Sequence, residues 1–185
     1  MPREPLPIEQ TLSMLRSAPA RIQEMTAGLS PAQLRARPGP DDWSVVEVLA
    51  HLRSCADVWG GCIATILAED HPTIRAIDPR TWMRDTDYPD LEFQPSFDAF
   101  TAQRMDLIAT LEQLSNDEWP RKATMTGAGK PIERSLQSFA ERLAIHERPH
   151  LKQINRTANA FREQVSSPPV AGAAELLKRV DHHHE

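Results

Sequence analysis

Cysteine, net positive charge and long apolar runs are all scarce in this chain of 185 residues. Two cysteines are too few for a disulfide scaffold, which favours a reducing cytoplasm. The formal net charge of −5 argues against a nucleic-acid or anionic-membrane partner bound through bulk charge. No run approaches the roughly 20 apolar residues of a membrane span, and MPREPLPIEQ lacks the apolar core of a signal peptide. A cytoplasmic globular protein is therefore expected.

Proline, by contrast, is abundant, and its placement predicts the secondary structure. The sixteen prolines leave long proline-free windows, where a helix would not lose a backbone donor. Apolar residues recur in these windows at helical spacing. We predict helices over 8–28, 44–69, 96–115 and 133–162, with a kink or restart at Pro19. No stretch alternates with period two, so we predict no strand and no sheet in the core.

Four long amphipathic helices predict an all-α, four-helix bundle in one domain spanning 1–165. The connection at 70–95 is long enough to run the length of the bundle, which would make the second and third helices parallel. We expect no long helix there, and we expect Trp82 and Tyr88 to pack against the bundle. Residues 166–185 are predicted to be a proline-containing linker and a histidine-rich tail with one short helix.

Three histidines lie inside the predicted helices, on their apolar faces. His51 falls between Val48 and Leu52, whereas His146 and His150 are four residues apart and project from one face. A single histidine on an apolar face is usually a core residue with a hydrogen-bond partner, but a pair joined by a third inward histidine is more specific. Three neutral imidazoles with one open position can form a catalytic metal site. We predict that the three bind one divalent ion, with a position open to solvent.

Residues 146–150 also match the pattern H-E-x-x-H, in which a zinc protease uses the glutamate as a general base. Two features argue against that interpretation. Pro149 would remove a helix hydrogen bond from the motif, and the extended pattern fails because Gln153 stands where glycine is needed. The protease is therefore the last of our alternatives, and Glu147 is expected to be a solvated charge on the helix face.

Two sequence elements resemble the DinB/YfiT-like superfamily. The first is the run Asp42-Trp43-Ser44 to His51-Leu52, and the second is His146-Glu147-Arg148-Pro149-His150-Leu151 followed by Gln153-Ile154. The similarity extends over roughly 12–154. It implies an up-down-down-up four-helix bundle with a long crossover between helices two and three. The family's metal triad falls on His51, His146 and His150, and Pro149 departs from the residues commoner at its position.

The resemblance also implies a range of activities. Family members include S-transferases and isomerases that use low-molecular-weight thiols, together with hydrolases. We therefore expect a small-molecule substrate, a zinc or nickel ion that activates a thiol or water, and a thiol cosubstrate. A homodimer is consistent with the family. The alternative from another class is a non-catalytic metal- or ligand-binding bundle of the stress response.

Three further side chains are candidates for the surroundings of the metal. Glu47 either caps the second helix or orients the second nitrogen of His51. Cys55, one turn after His51, is either a buried inert thiol or a fourth ligand. Arg104, on the inner face of the third helix, either binds an anionic substrate or pairs with a core carboxylate such as Glu47 or Glu141.

Overall fold

The computed structural model describes residues 4–166, so the predicted tail helix and the linker prolines lie outside the described residues. Four long helices dominate this part of the chain: α1 (Ile8–Thr26), α3 (Val45–Ala68), α5 (Phe93–Glu112) and α6 (Leu136–Ser166). Two short helices lie in the connections: α2 (Pro31–Arg35) and α4 (Pro79–Arg84). The long helices begin and end within four residues of their predicted bounds.

Local signals explain where two of the long helices begin, and two prolines lie within long helices without ending them. The Ser44 hydroxyl accepts a hydrogen bond from the Glu47 amide, while the Glu47 carboxylate accepts one from the Ser44 amide, which forms a capping box for α3. α5 begins earlier than predicted because Pro95 lies in its first turn, where a missing amide donor is not needed. Pro19 and Pro149 lie inside continuous helices, so the predicted restart at Pro19 does not divide α1. Within the described residues, no helix is long and apolar enough to cross a membrane.

The four long helices form the predicted bundle. α1 and α3 each pack against both α5 and α6, so α5 and α6 occupy diagonal corners. α3 and α5 run in the same direction, because Arg53 bonds to Ser96 and Asp57, one turn further on, accepts a hydrogen bond from Gln103. The predicted up-down-down-up order, with a long crossover between its two parallel members, is therefore confirmed.

Apolar side chains form two clusters along the bundle, and polar side chains lie between them. The first cluster includes the buried residues Leu12, Leu15, Trp59, Ile63, Ile66, Leu111, Phe139 and Leu143. The second cluster includes Ala18, Ile22, Val48, Leu49, Leu52, Phe97, Phe100, Leu151 and Ile154. At the boundary between the clusters, His51, Arg104 and Glu147 are buried polar side chains. The functional candidates thus lie in a polar layer of an otherwise apolar core.

The crossover from α3 to α5 is fastened to the bundle through one carboxylate. Asp57 of α3 accepts hydrogen bonds from the Trp82 indole at 2.9 Å and from the Tyr88 hydroxyl at 2.8 Å. The Arg53 guanidinium stacks 3.7 Å from the centroid of the Tyr88 ring. The crossover contains no long helix, so the predictions of its local structure and of its two packed aromatic residues are confirmed.

A three-stranded sheet closes one end of the bundle, and the prediction that no strand forms is wrong. β1 (Thr73–Arg75) pairs in parallel with β2 (Lys122–Thr126), which pairs antiparallel with β3 (Ile132–Ser135). β2 adds Ala123 and Met125 to the first apolar cluster. Strands of three to five residues are too short to show an alternating pattern, and β1 finds its partner about 50 residues away along the chain. The sheet is minor, so the all-α class is unaffected.

Candidate metal centre

Three imidazole rings meet between α3 and α6. The Nε2 atom of His51 lies 3.0 Å from Nε2 of His146, which lies 3.1 Å from Nε2 of His150. The ring centroids are 4.7–5.2 Å apart, and the ring planes cross at 60–67°. Nε2 of His146 therefore lies close to Nε2 of both His51 and His150, at the polar layer.

Helix geometry and aromatic packing hold these rings in place. His146 and His150 are one turn apart on α6, so both project toward α3, where His51 lies two turns after the start of the helix. The edge of Trp59 packs against the His146 ring with centroids 5.0 Å apart, and Trp43 packs against His51 at 5.4 Å. Two rigid helices and two indoles thus limit the motion of the rings.

The histidines are held in the neutral form. Burial lowers the pKa of His51 and of His146 to about 4, and it lowers the pKa of His150 as well. Nδ1 of His150 lies 3.1 Å from the side-chain oxygen of Gln153. When Nδ1–H donates to that oxygen, the proton of the neutral ring stays on Nδ1 and Nε2 keeps a free lone pair.

This arrangement fits a divalent metal ion better than hydrogen bonds among the rings. When Nε2 of His150 carries no proton, the single Nε2 proton of His146 serves that contact and cannot also join His146 to His51. The buried Nδ1 of His51 has no hydrogen-bond partner among the described residues, and an ion on Nε2 would leave it so. In a tetrahedral site with metal–nitrogen distances of 2.0–2.1 Å, ligand nitrogens lie about 3.3 Å apart, close to the spacing observed here. One ion would satisfy all three nitrogens.

Comparison with known families identifies the superfamily of this chain. The profile of the DinB superfamily matches residues 14–154. The chain belongs to the DinB superfamily. The predicted resemblance to this group is thereby confirmed.

Three relatives of this DinB-superfamily chain have names or descriptions that refer to metal dependence. A protein of Geobacillus thermodenitrificans (strain NG80-2), named "Putative metal-dependent hydrolase", is 23% identical over 153 residues, which are 80% of this chain and 82% of the relative. A similarly named protein of Geobacillus kaustophilus (strain HTA426) is 22% identical over 153 residues, with the same coverage. The structure of YfiT from Bacillus subtilis, described as "a probable metal-dependent hydrolase with an unusual four-helix bundle topology", matches with a TM-score of 0.73. That match covers 88% of this chain and 93% of YfiT at 19% identity, and it shows that the two proteins share a fold.

Cys55 lies beside the three rings of this DinB-superfamily site. Its Sγ atom is 3.5 Å from Nε2 of His51, and the candidate ligand atoms of Cys55, His51 and His146 all lie within 4.8 Å of one another. Burial raises the pKa of the thiol to about 12, so without a metal it stays protonated at neutral pH. The structure thus brings Cys55 within reach of an ion, and its role as ligand or inert thiol stays a prediction.

Glu147 does not lie on a solvated face, and that prediction is wrong. Only 3% of the residue is exposed, and its carboxylate forms a bidentate ion pair with the guanidinium of Arg104, which is 1% exposed. Burial raises the pKa of Glu147, while Arg104 acts in the opposite direction. The glutamate of the H-E-x-x-H pattern therefore faces away from the histidines and cannot serve as the general base that the protease alternative requires.

The same pair decides between the two alternatives for Arg104. Arg104 pairs with a core carboxylate, as the second alternative predicts, but that carboxylate is Glu147 rather than Glu47 or Glu141, and only 1% of Arg104 is exposed. Glu47 caps α3 and pairs with Arg37 instead. Glu47 therefore does not orient His51, because it makes no hydrogen bond to the buried Nδ1.

Two arginines near the histidines were not predicted from the sequence. The charge of Arg80, on α4, adds to the lowering of the pKa of all three histidines, and the charge of Arg142 does so for His146. The guanidinium of Arg142 stacks 4.5 Å from the centroid of the Trp59 ring. The i,i+4 spacing of Arg142 and His146 was a usable signal. No sequence pattern indicated Arg80, because it reaches the site from the crossover.

Proposed function

We propose that this chain is a metal-dependent hydrolase of small molecules, in which His51, His146 and His150 bind one divalent ion. The observation that carries the proposal is the approach of three neutral Nε2 atoms to within 3.0–3.1 Å of their neighbours, in an apolar core. Membership of the DinB superfamily and the names of the two Geobacillus relatives support it. Imidazole ligands suit zinc and nickel, which are the ions we propose.

The residues around the histidines have separate tasks in this proposal. When bound, the ion would supply Lewis-acid activation of water and of the carbonyl or phosphoryl oxygen of the substrate. Gln153 holds the His150 ring with Nε2 free to coordinate. Arg80, whose charge acts on all three histidines, would stabilise negative charge that develops on the substrate. Hydrolysis adds the hydroxyl of water to the attacked atom and the remaining proton to the leaving group.

The first test is metal content. The full-length chain would carry serine at the tail positions 182–184, so that these histidines cannot bind metal. We expect one equivalent of zinc or nickel per chain after dialysis at micromolar metal concentration, and a sharp loss in His150→Ala. His71→Ala is the matched control, because His71 is exposed and pairs with Glu133 away from the site. Equal metal content in the two variants would contradict the proposal.

The second test is activity with a panel of esters, amides and phosphoesters. Turnover should disappear in metal-free protein, return when the ion is restored, and be absent from His150→Ala. Each substrate is also offered with a low-molecular-weight thiol. A reaction that proceeds only with the thiol would replace water by thiol as the nucleophile. Metal binding without any turnover would favour the non-catalytic binding protein.

A further inference from the structure

Two cavities beside the histidines adjoin each other. The first has a volume of about 400 Å³, and His146 lies in its wall. The second has a volume of about 640 Å³ and shares Arg134, Phe139 and Arg142 with the first. Together they form a groove that leads from His146 to the small sheet, whereas His51 and His150 line neither cavity. We refer to the two cavities as the groove.

Much of the groove is apolar. Trp59, Met125 and Phe139 are buried side chains that line it. Of the four large hydrophobic side chains exposed among the described residues, three line the groove: Ile77, Trp82 and Ile132. Exposed apolar surface is thus concentrated here, which is typical of a binding site rather than of an ordinary surface.

Three arginines stand around this apolar surface without carboxylate partners. Arg75, Arg134 and Arg142 line the groove, and none forms an ion pair with another described residue. Two of them are held in position. Arg142 stacks on Trp59, and the stem of Arg75 lies over Gly127, where a Cβ atom would approach Arg75 Cγ to 3.1 Å.

The carboxylates that also line the groove are mostly engaged. Asp57 accepts hydrogen bonds from Trp82 and Tyr88 of the crossover and from Gln103 of α5. Asp78 caps α4 by accepting a hydrogen bond from the Arg80 amide at 2.8 Å. Glu141 is the one groove carboxylate without a hydrogen bond among the described residues. Three arginines and three carboxylates thus balance the formal charge of the lining, but the three guanidinium groups have no carboxylate partner among the described residues and remain available as donors.

We propose that the groove binds an organic anion, with an apolar body against Trp59 and Phe139 and a carboxylate or phosphate on Arg142. Arg75 and Arg134 extend the cationic rim. The inference deepens the proposed function and rests on it for the site of reaction. Because Arg142 precedes His146 by one helical turn, roughly 5–6 Å between Cβ atoms, the bond to be hydrolysed would lie one turn from the anionic group.

The test compares ligands that share an apolar body and differ in charge. 1-Naphthylacetate, 1-naphthyl phosphate and the neutral 1-naphthylacetamide would be titrated into the full-length chain by calorimetry. Metal-free protein is used first, since a carboxylate can also bind the ion itself. Because a hydrogen bond to a charged group is stronger than one to a neutral group, we expect at least one anion to bind about tenfold or more tightly than the amide. The relative affinity of the two anions distinguishes carboxylate from phosphate.

Variants locate the anion. Arg142→Gln should remove most of the preference for the anion, and Arg142→Lys should retain part of it because the positive charge is kept. Arg148→Gln is the matched control, because Arg148 is an exposed arginine of α6 that lines a different cavity. A loss of preference in Arg148→Gln as large as in Arg142→Gln would contradict the assignment.

Metal content measured on the same samples separates this inference from the proposed function. Equal affinity for the anions and the amide, or no binding of any ligand below about 1 mM, overturns the anion site even when the ion binds. Absence of bound metal together with a clear anion preference overturns the proposed function and leaves the groove as an anion-binding site. Arg142→Gln should retain the metal content of the unaltered chain, because Arg142 is not a ligand.

Discussion

Two polar clusters interrupt the apolar core of this bundle, and they differ in the charge that they bury. The histidine cluster is neutral, because burial holds two of its pKa values at about 4. The Arg104–Glu147 cluster is an ion pair whose two residues are 1% and 3% exposed. The two clusters are adjacent on α6, since His146 and Glu147 are consecutive residues that point to different sides of the helix.

The difference lies in what completes each cluster. Arg104 and Glu147 satisfy each other's charge across the diagonal of the bundle, although the buried Nε of Arg104 has no hydrogen-bond partner among the described residues. The three histidines bring lone pairs together without enough protons to join them, so an ion from outside would complete them. We infer that the ion pair needs no ligand to balance its charge, whereas the histidine cluster stabilises the fold only when metal is present.

The largest expected effect is the removal of one partner of the ion pair. Glu147→Ala leaves the Arg104 charge buried and uncompensated, which typically costs 3–5 kcal/mol in free energy of unfolding. Urea denaturation followed by circular dichroism measures that loss. Replacing both partners with apolar residues, Arg104→Met with Glu147→Leu, should recover most of it because no buried charge remains.

The double variant decides whether charge or packing is responsible. If it is as unstable as Glu147→Ala, then lost packing at this position, and not the uncompensated charge, destabilises the protein. The metal content of the double variant should stay close to that of the unaltered chain, because neither residue contacts the histidine nitrogens.

Metal-dependent stabilisation is the next effect in size. An ion that binds only the folded state, at 100 times its dissociation constant, raises the free energy of unfolding by about 2.7 kcal/mol. Thermal melting with and without zinc or nickel should show this increase in the chain with serine at 182–184, and His150→Ala should abolish it. Glu147→Gln keeps all three histidines and should retain the metal-dependent increase. An increase that survives in His150→Ala would place the ion elsewhere.

The metal-free protein should lose stability as the pH falls. His51 and His146 have pKa values of about 4 in the folded state and about 6.5 in the unfolded chain. The unfolded state therefore binds more protons between pH 6.5 and 4, and the free energy of unfolding falls as the pH is lowered through this range. Urea midpoints measured in the presence of a chelator test the slope. The double variant His51→Asn with His146→Asn should show a flatter slope, and an unchanged slope would assign the protons to other groups.

The histidine cluster could be predicted from the sequence because its information is local. The i,i+4 spacing of His146 and His150 places both on one face of any helix, and His51 lies on the apolar stripe of its own helix. The fold followed from the same periodicity, with prolines marking the connections. The resemblance to a known family then joined the two motifs, which are about 95 residues apart along the chain.

The ion pair and the sheet could not be predicted because their information is not local. Glu147 occupies a helix position that a charged residue usually exposes, and only the diagonal approach of α5 to α6 shows that Arg104 meets it. β1 is three residues long and depends on a partner strand near Thr124. In both cases the deciding contact joins distant segments, so no pattern within either segment contains it.

The smallest effect concerns a surface counterpart of the buried ion pair. Arg16 of α1 donates two hydrogen bonds to Glu112 of α5, at 2.6 and 3.0 Å, with side chains that are 44% and 45% exposed. Because water and salt screen such a pair, a double-mutant cycle with Arg16→Ala and Glu112→Ala should give a coupling energy of about 0.2–1 kcal/mol. Urea denaturation at low salt and at about 1 M sodium chloride should show the coupling shrinking as the Debye length falls to about 3 Å. The pair has the same arginine–glutamate chemistry, with both hydrogen bonds made to one carboxylate oxygen. A coupling as large and as resistant to salt as that of Arg104 and Glu147 would show that burial does not set the difference between the two pairs.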